Sequence, residues 1–188
     1  MLTAGVVEIR PEQSADHESV HAVHAAAFAD HGGVVVNLVK ALRKLVTPTA
    51  GLSLVAETNG HVIGHVMFTP SLLDAPSRLV SVDVLSPLAV RPDHQRRGIG
   101  GSLIEAGVAI QATKGVSAIF LEGDPSYYSR LGFQPAGPLD FRRPSLRIPQ
   151  PAFQVRRLPT YERWMTGTLI YAHQFWDHDA VGLRDDHP

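Results

Sequence analysis

The stretch that most constrains this chain is residues 90–101, Val-Arg-Pro-Asp-His-Gln-Arg-Arg-Gly-Ile-Gly-Gly, a turn rich in glycine and arginine between two apolar segments. Residues 80–90 before it are β-branched and apolar enough for a central strand. Leu103, Ile104, Gly107, Val108 and Gln111 follow with helical spacing, which predicts a helix over 100–113. A strand enters the turn and a helix leaves it. Gly98, Gly100 and Gly101 let the backbone approach a ligand closely, and the unpaired amides of a new helix favour an anion. Glycines between a strand and a helix also serve as plain loop punctuation, so on glycines alone both readings stand. Two nucleotide motifs are excluded: a Walker loop needs a Gly-Lys pair that is missing here, and G-x-G-x-x-G would need glycine where Leu103 stands.

The pattern that does fit is Gln/Arg-x-x-Gly-x-Gly/Ala, filled by Gln95, Arg96, Arg97, Gly98, Ile99 and Gly100 after a strand ending Leu88-Ala89-Val90 and then Pro92. Here the chain resembles the GCN5-related N-acetyltransferases (GNAT), whose motif of this form receives the pyrophosphate of acetyl-coenzyme A (acetyl-CoA). Residues 123–133, Gly-Asp-Pro-Ser-Tyr-Tyr-Ser-Arg-Leu-Gly-Phe, resemble that family's aromatic-Tyr-x-x-x-Gly-Phe signature, in the right order and at about the right separation. Resemblance to the small bacterial predicted acetyltransferases extends from about residue 6 to about residue 176. It includes the Gly-Asp-Pro-x-Tyr-Tyr form, Pro151-Ala152-Phe153, and Gly167-Thr168-Leu169-Ile170-Tyr171. It implies an α/β fold with a mixed sheet: mostly antiparallel strands, one splayed parallel pair and flanking helices.

At 188 residues and 44% apolar content, the chain suits one compact domain, 1–188, with a full core. A net charge of −1 gives no general attraction to nucleic acid or anionic membrane, so an anion site must be local, and the turn's arginines supply it. The absence of cysteine excludes disulfides, thiolate metal sites and a cysteine nucleophile. No long uninterrupted apolar segment offers a membrane span, and Met1 to Gly5 lack the basic-then-apolar pattern of a leader, so a cytoplasmic protein is expected. A homodimer is left open.

Residues 6–10 read as a first strand ended by Pro11, with Ser14 or Asp16 able to cap a helix carrying Val20, Val23, His24, Ala27 and Phe28. A loop at His31-Gly32-Gly33 leads to a second helix with Val35, Leu38, Val39, Leu42 and Leu45 as its buried stripe. Its glycines give that loop mobility over an acceptor site or merely punctuate the helices. A hairpin over 52–57 and 61–73 turns about Asn59-Gly60, followed by strands at 79–90 and 118–122 on either side of the predicted helix. Strand, helix, strand in this order predicts a right-handed parallel crossover with the turn at the carboxyl end of its first strand, where ligands of such sheets bind. The proline-rich residues 134–151 should form a structured loop, residues 153–158 a strand, and Trp164, Tyr171, Phe175 and Trp176 a tail closing the core or the substrate side. Residues 184–188 are expected to fray.

Acetyl transfer to an amine requires a held thioester, a polarised carbonyl, an unprotonated nucleophile and a proton for the departing thiolate. The resemblance implies that the backbone of Leu88, Ala89 and Val90 pairs with the pantetheine, and that the turn from Gln95 through Gly101 holds the pyrophosphate. Pro87 has no amide hydrogen, so a bulge or a splayed partner is expected there, and an opening beside it would admit acetyl-CoA. Tyr128 matches the family's proton donor to the coenzyme A sulfur, with a packing tyrosine as the alternative. Tyr127 reads as aromatic packing and Asp124 as a helix cap. The general base is less legible. Ser86 stands where many relatives carry glutamate; it can order a water but cannot act alone. Asp83 should face the other side of the sheet. Glu122 is a better candidate for the base, with a solvated or capping carboxylate as the competing role.

His17, His21 and His24 share a helical face that reads as partly solvated, and no metal site is expected. His61 and His65 line an acceptor pocket or occupy ordinary strand positions, and His94 reads as a solvent-facing loop residue, with contact to the adenosine phosphate as the alternative. The resemblance therefore implies an acetyl-CoA-dependent N-acetyltransferase acting by direct transfer to a primary amine of a small molecule or a protein. No acyl-enzyme is expected. The competing reading is a catalytically silent acyl-CoA-binding sensor or regulatory module. A nucleic-acid role for Arg142, Arg143, Arg147, Arg156 and Arg157 is weaker, since the net charge is near neutral and prolines interrupt the run.

Overall fold

The computed structural model describes residues 6–182. The expectations for residues 1–5 and 184–188 lie outside them. Among the described residues one mixed sheet contains β1 (Glu8–Pro11), β2 (Leu52–Thr58), β3 (His61–Asp74), β4 (Leu79–Val90), β5 (Ala118–Glu122), β6 (Gln134–Pro135), β7 (Phe141–Arg142), β8 (Phe153–Arg157) and β9 (Gly167–Ile170). The order is β1-β2-β3-β4-β5-β8-β6, with β9 pairing β3 and β7. The β4–β5 and β7–β9 pairs are parallel and the others antiparallel. The helices are α1 (His17–Phe28), α2 (Gly32–Arg43), α3 (Ile99–Thr113), α4 (Pro125–Tyr128) and α5 (His173–Asp177).

The sheet buries both faces. On one, Val20 and Val23 of α1 and Leu38, Val39 and Leu42 of α2 join Val55, Met67, Val82 and Val84 in a single cluster. On the other, Leu103, Ile104 and Val108 of α3 pack with Leu54, Val66, Phe68, Leu85 and Ile119. Gly107 is the point of closest approach, since a Cβ there would overlap the Phe68 ring. The hairpin turns as expected, with Asn59 at φ 50 and Gly60 at φ 77, the left-handed pair that an Asn-Gly turn adopts.

Several local expectations are corrected. β1 begins at Glu8 and includes Pro11, which pairs with Leu54 on the sheet's edge, where a missing amide is tolerated. Asp16 caps backwards: its carboxylate accepts from the Gln13 amide at 2.8 Å and pairs with Arg10 at 2.7 Å, fastening β1 to the start of α1. Gly32 and Gly33 open α2 instead of forming a loop. Gly32 lies against α1, and a Cβ on it would come within 2.7 Å of the Ala25 carbonyl oxygen. The helical run Ser14–Arg43 is long and apolar enough by composition to cross a membrane. Ala29, at φ 45, breaks it into two helices of 12 residues, each about 18 Å long, short of a ~30 Å hydrocarbon layer. Both halves pack on one another and α1 also packs on β3 and β4.

The middle of the sheet is open where Pro87 predicts it. Val66 pairs with Leu88 but Phe68 pairs with Leu85, so Ser86 and Pro87 together oppose Met67, a bulge on β4. The parallel β4–β5 pairing is confined to Asp83 with Ile119 and Val84 with Phe120, and beyond it the strands part.

Candidate active site

Two cavities lie at the carboxyl end of β4. The first, of about 290 Å³, is lined by Leu88, Ala89, Val90, His94, Gln95, Arg96, Gly98, Ile99, Gly100 and Tyr127. Its wall is the turn into α3. Arg96 at φ 59 and Gly98 at φ 82 both take the left-handed conformation, which bends the chain sharply and starts the helix at Ile99 with no side chain capping it. The first amides of α3 are therefore open to a ligand, and the helix dipole favours an anion there. Gln95 Nε2 donates to the Val90 carbonyl at 3.0 Å and the Arg97 guanidinium donates to the Asp93 carbonyl at 2.9 Å, so side chains of the turn brace its own backbone. Neither Arg96 nor Arg97 has a carboxylate partner among the described residues, whereas Arg91 pairs with Asp93 at 3.2 Å. His94 is half-buried in this wall, with Nδ1 3.0 Å from Asp93 Oδ1, and is not the solvent-facing residue expected.

Tyr127 is the second correction. Its hydroxyl stands 2.7 Å from where a Cβ on Gly100 would fall, so it forms part of the cradle as well as packing edge-on against Tyr128 at 4.9 Å. Helical spacing in so short a segment gave no means of telling the two tyrosines apart. Asp124 does cap α4, accepting from the Ser126 amide at 2.8 Å. The half-buried Tyr128 ring lies between Phe133, at 5.8 Å, and Gly123, where any Cβ would overlap it. Burial is the main cause that pushes its phenol up to about 12, with Tyr127 adding to it, so Tyr128 keeps its proton across the working pH range.

The second cavity, of about 200 Å³, is lined by Val84, Ser86, Glu122, Tyr171, Phe175 and Ala180. Ser86 and Glu122 thus share one space beside the parted strands. Glu122 Oε1 accepts from the Tyr171 hydroxyl at 2.8 Å and Oε2 from the Gly182 amide at 3.0 Å. Burial raises its pKa above the usual carboxylate range, against the opposing pull of those two donors and of Arg147. Asp83 faces the other side, as the alternation of the strand requires: it is 3% exposed, lies beneath α3 and accepts from Gln111 Nε2. Its burial pushes it up to about 6.

Two of the histidines belong to a buried polar chain. His24 and His65 are fully buried and joined at 2.8 Å, and Ser53 Oγ lies 2.9 Å from His65 Nε2 and donates to Glu12 at 2.6 Å. Glu12 is in turn paired with Arg43 at 2.7 Å. The face of α1 is thus solvated only in part, and His24 belongs to a polar chain running beneath α1 and α2. His61 is exposed. Four of the five arginines considered for nucleic acid are engaged individually: Arg147 with Asp179, Arg156 with Glu105, Arg157 over the Tyr161 ring, and Arg142 with Thr168. Among the described residues no group of three His, Cys, Asp or Glu side chains is arranged to hold a metal ion.

A mixed sheet parted at a parallel pair thus has an uncapped helix start on one side and a carboxylate cavity on the other. The family model described as an acetyltransferase (GNAT) domain matches residues 8–136, and the chain belongs to that family. It is 32% identical over 170 residues to the uncharacterized N-acetyltransferase YhbS of Escherichia coli K12, covering 89% of this chain and 97% of that protein. With E. coli YjhQ, also an uncharacterized N-acetyltransferase, it shares 34% identity over 99 residues, which cover 53% of this chain and 55% of that one. The crystal structure of E. coli YhbS in complex with CoA superposes with a TM-score of 0.83 at 29% identity, covering 98% of this chain and 99% of that one. A GNAT acetyltransferase from Brucella melitensis in complex with acetyl-CoA gives 0.71 at 31%, covering 91% and 99%.

Proposed function

We propose that the protein transfers an acetyl group from acetyl-CoA directly to a primary amine of a small molecule or a protein. The observation that carries this reading is that the open α3 amides and the Ser86–Glu122 cavity flank the same bulged end of β4. The cradle also fits the donor: Gly98 leaves open the space that a side chain would fill, Gly100 lets the Tyr127 hydroxyl close on the backbone, and among the described residues neither Arg96 nor Arg97 is neutralised by a carboxylate. In this reading the amides and side chains of residues 95–101 bind the pyrophosphate, and the backbone of Leu88, Ala89 and Val90 pairs with the pantetheine. The thioester supplies the activated acetyl group. Glu122 takes one proton from the incoming ammonium and so frees the nitrogen lone pair. As the C–N bond forms and the C–S bond breaks, Tyr128 gives its proton to the departing sulfur, and the amide nitrogen loses its second proton to solvent. Ser86 orders the amine or a water beside Glu122. The raised position of Glu122 suits a base working near neutrality, and Tyr128 enters the reaction holding the proton that the departing thiolate needs.

The same reading takes the chain as one domain working in the cytoplasm. It is tested by measuring CoA release from acetyl-CoA over a panel of primary amines. Tyr128→Phe should lower kcat by about 10²-fold, the scale of a lost general acid, with little change in acetyl-CoA affinity. Tight acetyl-CoA binding with no turnover on any amine would instead establish the acyl-CoA sensor.

A further inference from the structure

A buried carboxylate that serves as a base must be kept from simply neutralising itself, and Glu122 is held by a part of the chain remote in sequence. Its carboxylate receives the Tyr171 hydroxyl at 2.8 Å and the Gly182 amide at 3.0 Å. Both donors belong to the segment 171–182, which follows β9 and walls the cavity through Tyr171, Phe175 and Ala180. This wall is anchored: Tyr171 is 5% exposed with its ring 5.0 Å from Phe175, and Val181 is completely buried. Gly182, at φ 63, lies so close to residues 147 and 148 that a Cβ would come within 2.5 Å of the Arg147 carbonyl carbon, so its amide is fixed in direction.

Among the described residues the other groups facing Glu122 are few. β4 contributes the neutral Ser86 and α5 the apolar Phe175, while the charge acting on it is that of Arg147, already paired with Asp179 at 3.2 Å. Each carboxylate oxygen can accept two hydrogen bonds and uses one for this clamp, which leaves acceptor capacity for an ammonium in the cavity. For packing alone, phenylalanine at 171 would serve; the hydroxyl adds a bond to the Glu122 carboxylate that lines the cavity.

We propose that Tyr171 is a positioning residue for acetyl transfer, its hydroxyl and the Gly182 amide clamping the Glu122 carboxylate in the direction and charge state from which it deprotonates the acceptor. This rests on Glu122 as the base. Tyr171 touches no reacting atom and acts through Glu122.

The experiment compares wild type with Tyr171→Phe in two readouts. In the pH profile of kcat/KM for a primary amine, loss of the donor should move the acid limb upward by about one unit, so that activity below the limb falls about tenfold and recovers above it. In the protein without substrates, the Glu122 carboxyl, followed by carbon NMR and assigned with Glu122→Gln, should titrate higher by a similar amount. Should Tyr171→Phe fold poorly, 3-fluorotyrosine at position 171 keeps the shape and strengthens the donor, and both readouts should then move down. Turnover with an acid limb that stays in place in either protein overturns the Tyr171 proposal alone. A titration that shifts with no turnover on any amine overturns the transferase reading, and the role of Tyr171 in it.

Discussion

Gly123 and Tyr128 are chosen as a pair. Gly123 ends the bend after β5, with its amide on the Ala152 carbonyl and its own carbonyl accepting from Gln154 Nε2, so its backbone is held on both sides. The Tyr128 ring lies where its Cβ would be. A methyl group there cannot be absorbed by the fixed backbone and must displace the ring. Gly123→Ala should therefore reproduce much of the Tyr128→Phe defect, lowering kcat by about 10-fold or more, while acetyl-CoA affinity stays within a few-fold because the cradle is untouched. Steady-state kinetics with calorimetric binding of acetyl-CoA checks this, and an unchanged kcat would remove Tyr128 from the chemistry. Glu122 presents the opposite case, a residue whose surroundings, not its own shape, decide what it does.

Among the elements, α3 and β4 carry the site together, and here the sequence was most readable. Pro87 without an amide hydrogen foretells the bulge, the glycines foretell a close approach, and the apolar periods on either side foretell strand and helix. Gly100→Glu places bulk against Tyr127 and a negative charge beside the open amides, so acetyl-CoA affinity should fall by about 100-fold or more while the fold, read by circular dichroism, persists. Equal affinity would refute the cradle. What could not be read are the contacts made by residues far apart in the chain. Nothing local tells that Tyr171 meets Glu122, 49 positions earlier, or that His24 and His65, 41 apart, bond to one another, because strand alternation gives a face but not its occupant. The glycines at 32 and 33 misled for a related reason: propensity opposes glycine in a helix, but the close packing of α2 on α1 outweighs it at Gly32.

Taken whole, the molecule buries titratable groups on both faces of its sheet, and they pull stability in opposite directions with pH. Beneath α1 and α2, burial holds His24 at about 2 and lowers His65 as well, so both are neutral in the fold. The unfolded chain takes up protons at these histidines near 6.5; their contribution is present above that pH and is lost as pH falls toward the folded values. Beneath α3, Asp83 is raised from 3.8 to about 6, so the folded protein holds a proton that the unfolded chain has released. Its contribution is full below 3.8 and is lost as pH rises through 6. Asp83→Asn keeps a neutral partner for Gln111 and removes only this second effect. The variant should be more stable than wild type at pH 8 by on the order of 3 kcal/mol, about half of that at pH 5, and progressively less toward pH 4. Because its histidines are left unopposed, its own stability should fall more steeply than wild type's between pH 6 and 5. Urea unfolding at pH 8, 6 and 5 measures both slopes, and a difference between the two proteins that does not vary with pH would mean that Asp83 is ionised in the fold across that range, as it is in the unfolded chain.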